Sequence, residues 1–498
     1  MKRPQLQGPG VLRQPYVRPP HVSLAKAPTS EPTAPAGEVP VSPEVASPRS
    51  FWTSSYLVPG FIGLQLICQL ALLVEVLSPL RVIFRILSFG VSLVLLAFVP
   101  GRHLRHPALP FVLGAMAITS LNMFHPETSS ILAGLAQLGI QFSVIAPLLW
   151  VTRLRMDAVA FRRMLALLFL FNAASAAVGV LQVYYPGSFQ PTLSTIVEGM
   201  GDEYTESLKF ETATGQRVFR PFGLTDLPGG AATGAFYSVL FGSGFLLSSK
   251  RGMIRALSVG GIFLGLTCLY LCQVRAIAIM LLVCMVAIMI VLALNGRLMR
   301  MTRLALVVGG FAVAGFGGAV MMGGDAITKR WGSLLEQEAG EVYYVNRGHF
   351  LEGAFSYFLP KYPLGAGLGR YGMANAYFGD NSDPSRPPLW AEIQWTAWIF
   401  DGGVPVLVLY PLGLLATLIW ALRLAFLREG PQEFWLWGTI LFGFNLGGIA
   451  ITFSYPFFVS QPGLVFWLIN AALFSAYQQS LRQAPQPLKD AALHPHRR

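Results

Sequence analysis

Apolar residues along this chain fall in long unbroken runs. They show neither the strict alternation of a half-buried strand nor the one-sided stripe of a water-facing helix. A bilayer core about 30 Å thick is crossed by roughly 20 apolar residues in helical form. By that measure the chain holds twelve such runs, starting near Val58, Val82, Pro107, Ser129, Met164, Gly229, Ala256, Val274, Leu304, Gly402, Phe434 and Pro462. The stretch from Leu57 to Val99 divides into two helices, because Pro79, Arg81 and Arg85 interrupt it. The pattern predicts an all-α polytopic membrane protein with about 12 transmembrane helices. Two connections on one side are long, 186–228 and 323–401. Long structured loops commonly carry function. No internal repeat relates the two halves, which counts against the repeat-built architecture of many transporters.

Composition agrees with the pattern. Of 498 residues, 54% are hydrophobic and only 12% charged, half the share of a soluble protein, which is about a quarter. One large water-soluble core is excluded. The formal charge of +12 would suggest nucleic acid in a soluble chain, so its distribution matters. With the N-terminal tail inside, 24 of the 36 basic residues fall on the inner side, which carries a net +17, and the remainder carries −5. That is the positive-inside asymmetry. It predicts both termini in the cytoplasm and removes nucleic acid as a partner. Residues 1–50 hold eleven of the 35 prolines and lack the apolar segment of about 7–15 residues that a secretory signal needs. They read as a disordered, Pro-rich cytoplasmic tail; 51–480 form the transmembrane domain, and 481–498 a second cytoplasmic tail.

Several residues stand out against this background. Glu75, placed inside the first helix, is costly in lipid and keeps a transport reading open. Cys68, Cys268, Cys272 and Cys284 all lie in apolar runs. Cys268 and Cys272 share a helical face, but no His or acid completes a metal site, and they read as small buried hydrophobes. Twelve basic residues remain on the outer side or in the membrane, against the charge trend, and three arginines among them stand out. Arg220 lies in Phe219-Arg-Pro-Phe-Gly-Leu-Thr-Asp-Leu-Pro228, Arg275 in the short turn Gln273-Val-Arg-Ala276, and Arg347 in Val345-Asn-Arg-Gly-His-Phe350. Any one alone could equally snorkel to the headgroups. Three from separate segments on one side suit another task, because guanidinium groups bind phosphate in a bidentate way. Together they would hold a pyrophosphate and stabilise charge on a departing phosphate.

The acids near them are Asp226, Glu352, Glu392 and Asp401. Asp401 directly precedes Gly402-Gly403, where a carboxylate could cap the tenth helix. Glu392, in Trp390-Ala-Glu-Ile-Gln-Trp395, has aromatic neighbours that suit an interfacial belt; they also desolvate it, which suits a general base. His349 is a second candidate base, or a solvated loop histidine. Gly365-Ala-Gly-Leu-Gly-Arg-Tyr-Gly372 invites a dinucleotide reading, but Arg370 takes the third glycine position and no βαβ pattern precedes it. It reads as a tight backbone turn after Pro363.

These segments, in this order, resemble the O-antigen ligase and O-antigen polymerase superfamily of bacterial membrane glycosyltransferases. The likeness spans about 215–415. It is carried by Arg347-Gly-His-Phe-Leu-Glu-Gly-Ala-Phe355, by Tyr362-Pro-Leu-Gly-Ala-Gly-Leu-Gly-Arg-Tyr-Gly372, by the Arg220 segment before the sixth helix, by Val274-Arg-Ala276, and by Phe400-Asp-Gly-Gly-Val404. Ligases of that family carry a His-Asn pair about nine residues before the acid-x-Gly element. Here Glu392 and its neighbours hold that place, which favours a polymerase or a divergent relative. The resemblance implies a GT-C-like architecture in the bacterial inner membrane and a polyprenyl-pyrophosphate-linked glycan as donor. A glycan or lipid-linked glycan would be the acceptor. It implies transfer at the outer face without metal or other cofactor, with polysaccharide export or assembly proteins and membrane lipid as partners. Arg220, Arg275 and Arg347 would hold the pyrophosphate, and Glu392 or His349 would activate the acceptor hydroxyl. Two other classes fit the same residues, a transporter or flippase for lipid-linked glycans and a non-catalytic subunit of an assembly complex.

Overall fold

A computed structural model describes residues 51–193, 201–336, 339–382, 387–427 and 432–483, together with Val197 and Gly199. The proline-rich tail and most of the C-terminal tail lie outside the described residues. Each of the twelve apolar runs forms a helix: α1 (Leu57–Ala71), α2 (Arg81–Phe98), α3 (Leu109–Leu121), α4 (Ile131–Ile145), α5 (Ala158–Tyr184), α6 (Ala231–Ser248), α7 (Gly252–Cys272), α8 (Arg275–Leu294), α9 (Leu298–Glu336), α11 (Gln394–Ala425), α12 (Gln432–Ile451) and α13 (Gln461–Gln483). A short outer helix, α10 (Gly372–Phe378), precedes α11. Among the described residues nine helices are long and apolar enough to cross a membrane. The departures from twelve are α1 and α3, which are shorter, and α13, whose last turns carry Gln478, Gln479, Arg482 and Gln483.

The chain is an all-α polytopic membrane protein apart from one small hairpin. In it β1 (Lys209–Glu211) pairs antiparallel with β2 (Arg217–Phe219), Phe210 opposite Val218. Local chemistry sets several helix starts. Asp157 accepts from the Ala160 N–H at 2.6 Å to cap α5. Ser130 accepts from the Ala133 N–H at 3.0 Å to cap α4, and its hydroxyl donates 2.7 Å to the Phe378 carbonyl. Packing between α5, α6 and α7 is close because small residues face one another, as lipid offers little hydrophobic drive between helices. Gly261 of α7 abuts Phe169 of α5, and Gly265 abuts the Ala235 backbone of α6.

Three sequence expectations change. Glu75 is not inside the first helix: α1 ends at Ala71, and Glu75 sits exposed at the start of the turn Glu75–Leu80, which runs directly into α2 as one apolar span, Glu75–Phe98. A helical segment from Gln394 precedes the expected tenth membrane helix, and the two meet at a non-helical kink at Gly402-Gly403, the expected start of that helix. The second long loop opens, at the expected place, with a non-helical kink at Gly324, and a further helical segment then runs to Glu336. Helical turns then recur over 339–361, two of them of π type, Tyr344–Gly348 and Ala354–Phe358. Such turns often accompany function.

Arg85 ties the N-terminal end of α2 to both long connections. Its guanidinium lies 2.5 Å from Asp226 and 3.4 Å from the Tyr377 hydroxyl. The ion pair is largely buried, so removing one partner strands the other. Arg85→Leu is expected to cost on the order of 3 kcal/mol, while Arg85→Leu with Asp226→Leu recovers most of it. Thermal unfolding of the two variants in detergent checks this, and equal losses would contradict it.

Candidate functional site

One end of the bundle gathers three guanidinium groups, and they are not the three that the sequence suggests. Arg220 follows β2, Arg275 opens α8, and Arg330 lies near the C-terminal end of α9. Arg330 interacts electrostatically with both Arg220 and Arg275. Arg275 donates 2.6 Å to the Arg330 carbonyl and also to the Ser333 hydroxyl. Arg220 donates 3.3 Å to the Ser207 carbonyl. The Nε–H groups of all three are buried without an acceptor. No carboxylate pairs with any of them among the described residues. Burial first, and the Arg330 guanidinium next, hold Arg220 below the usual arginine range. A like-charged cluster with unused donors is a receptor for an anion of more than one charge.

Arg347 does not join this cluster. Its Nη1 lies 2.5 Å from Glu392 Oε1, and the Trp390 indole N–H donates 2.8 Å to Glu392 Oε2. The two residues expected to act are therefore in contact with each other, Arg347 leaving the phosphate clamp because its own helix carries it to the start of α11. The Tyr343 hydroxyl donates 3.2 Å to the Phe453 carbonyl, and Phe355 packs on Trp395 with ring centroids 5.9 Å apart. These contacts hold the 339–361 segment on the α11–α12 side. An open groove of about 580 Å³ runs along that segment, lined by Tyr343, Tyr344, Leu351, Glu352, Phe355 and Ser356 among others.

His349 is exposed two residues after Arg347, its Nδ1 3.1 Å from the Tyr344 carbonyl. A carbonyl only accepts, so this contact places a proton on Nδ1. Glu352 accepts from the Tyr344 hydroxyl at 2.6 Å, and the carboxylate pushes that phenol above its usual range.

Asp401 is buried and does not cap a helix. The Gln137 amide donates 2.6 Å and the Tyr371 hydroxyl 2.8 Å to its Oδ1, and the Val404 N–H past the kink goes to the Pro363 carbonyl instead. Burial, and next the Asp401 carboxyl, push the Tyr371 hydroxyl well above its usual range, which keeps it a donor. Gln137 also accepts from the Gly369 N–H at 2.5 Å. The Gly365–Gly372 turn thus seats on α4. Gly369 has φ +72° and no room for a side chain against Ala133. Arg370 is buried, bonded to Glu127 and to the Ala366 and Pro387 carbonyls at 3.2 and 3.1 Å. It is a staple of the turn.

Two contributors were not read from the sequence. Arg330 lies in Lys329-Arg-Trp331, inside the second long connection, and the helical segment after the Gly324 kink carries it to the cluster. Gln137, within an apolar run, did carry a signal, since an amide is costly in lipid unless bonded. No family model matches this chain, and no curated protein matches it.

Proposed function

We propose that this chain is an inner-membrane glycan polymerase or ligase that transfers a glycan from a polyprenyl-pyrophosphate carrier to a sugar acceptor at the outer face. The observation that carries the reading is the cluster of Arg220, Arg275 and Arg330, buried at the Nε–H, unneutralised and at the mouth of the bundle. A membrane pyrophosphate brings several negative charges and an apolar chain to that place. The likeness of the Arg220, Arg275 and Arg347 segments to the O-antigen ligase and polymerase superfamily supports the same chemistry, in twelve spans with GT-C-like architecture and both ends in the cytoplasm.

In this reading the donor chain lies between helices and its pyrophosphate sits on the three guanidiniums. The acceptor lies in the groove along 339–361, whose rings and carboxylate suit a sugar. Its hydroxyl attacks the anomeric carbon, and the bond from that carbon to the pyrophosphate oxygen breaks. The lipid pyrophosphate leaves with the electron pair, met by the arginines. The hydroxyl proton passes to Glu392, which Arg347 and Trp390 hold in one orientation, or to Nε2 of His349. The place of Glu392, where ligases carry His-Asn, favours a polymerase.

Deleting the gene and separating lipid-linked from polymeric glycans tests the reading. Loss of polymer with single repeat units accumulating at the outer leaflet is the expected result. Long chains stranded on the carrier would assign a ligase instead. Units trapped on the inner leaflet would replace the transferase with a flippase, and unchanged glycans would overturn the reading.

A further inference from the structure

A second group of three arginines lies at the opposite end of α8, about 30 Å from Arg275 by the rise of a 20-residue helix. Arg297 precedes α9, and Arg300 and Arg303 fall in its first turns. The Arg297 guanidinium lies 3.9 Å from the ring centroid of Trp435 and that of Arg300 lies 5.0 Å from the same ring. Trp435 is 4% exposed, and its indole N–H is buried without an acceptor. Arg300 feels the repulsion of both Arg297 and Arg303. No carboxylate relieves it among the described residues, and Glu433, close to Trp435 in sequence, is already paired with Arg162 at 2.8 Å. The helix adds to the field, since positive charge at the first turn of α9 meets the positive end of its dipole.

An orientation signal needs only loose basic residues on the inner side. Two guanidiniums stacked on one buried indole are a fixed arrangement, and it lies among apolar side chains that face outward: Leu294, Leu298 and Met299 are all exposed. Guanidiniums ringed by outward-facing apolar side chains mark the boundary between acyl chains and headgroups. We propose that Arg297, Arg300 and Trp435 form a binding site for the phosphate of an anionic phospholipid, with Arg303 adding charge and Leu298 and Met299 bordering its acyl chains. The site is independent of the transfer reaction. It sits on α9, the helix whose far end carries Arg330.

Titrating the purified protein in detergent with short-chain phosphatidylglycerol, with phosphatidylcholine of the same chains and with inorganic phosphate tests the site. Phosphatidylglycerol is expected to bind roughly tenfold or more tighter than phosphatidylcholine, and inorganic phosphate is expected not to compete in the same range. Arg297→Gln with Arg300→Gln should remove that preference, and Arg297→Lys with Arg300→Lys should keep part of it. Arg102→Gln with Arg105→Gln, which alters basic residues elsewhere on the expected inner side, should leave it intact. Native preference in the double Gln variant would overturn the site. Equal loss in the Arg102 and Arg105 variant would reduce it to diffuse charge, and competition by inorganic phosphate at equal concentration would assign it to soluble phosphate. A double Gln variant that fails to elute as the native protein does leaves the decision to the Lys pair, where full loss of the preference with native elution counts against the site.

Discussion

Arg330→Ala is expected to lower the rate of glycan transfer by about 10²- to 10³-fold, the usual cost of removing one preorganised charge donor. Arg330 is the member that links the other two, interacting with Arg220 and with Arg275 while its own carbonyl accepts from Arg275. Its removal takes away one charge facing the pyrophosphate and leaves Arg220 and Arg275 without their common neighbour. The protein should remain folded, because like charges gathered without a carboxylate do not stabilise it. Arg330→Lys should recover only a small part of the rate, since an ammonium lacks the planar fork that meets two phosphate oxygens. Turnover of a lipid-linked glycan by purified variants with unchanged thermal unfolding checks this. A native rate for Arg330→Ala would remove the third guanidinium from the site.

Gly403→Ala is expected to be the most damaging single substitution outside the arginine cluster. Gly403 sits inside α11 at φ +58° and ψ −143°, a region close to glycine-only for L-residues. A methyl group there would overlap the Pro363 carbonyl, the same carbonyl that accepts from the Val404 N–H at 2.9 Å. Relief requires the turn after Pro363 to leave the helix. The turn cannot leave alone, because the Ala366 N–H donates 2.9 Å to the Phe400 carbonyl and Asn122 donates to the Leu364 and Asp401 carbonyls at 2.9 and 3.2 Å. Backbone strain and the lost contacts together should cost on the order of 4 kcal/mol. The variant should yield little folded protein, and what folds should be cleaved faster in 362–372 than the native chain. A native unfolding temperature would contradict this account of the bend.

What the sequence made legible follows from how local each signal is. An apolar run about 20 residues long reports its own environment, so all twelve helices could be placed before any contact was known. The Gly365–Gly372 segment also announced itself, because its glycines leave few conformations other than a tight turn. Asp401-Gly-Gly does mark a break between two helical segments. Only the cap misled, because Pro363, far away in sequence, takes the Val404 N–H and the carboxylate turns to Gln137 and Tyr371. Glu75 misled in the other direction, since no local feature says that α1 stops at Ala71 and leaves it outside. The arginine cluster was half legible. Arg220 and Arg275 stand against the charge trend and could be picked out, whereas the choice between Arg330 and Arg347 as their partner depends on where two long outer segments fold back. Glu392 and Arg347 were each chosen for their own surroundings. That they form one ion pair is a tertiary fact.

The central claim is that the three outer guanidiniums receive a pyrophosphate which departs during glycan transfer. It is tested most directly with purified protein in a bilayer and a donor labelled in its lipid pyrophosphate. One lipid pyrophosphate is expected to be released for each glycosidic bond formed, and both are expected to fall together by about 10²- to 10³-fold in Arg220→Ala, Arg275→Ala and Arg330→Ala. Glycan reaching the acceptor with its pyrophosphate still attached, or a donor that crosses the bilayer without being cleaved, would contradict it.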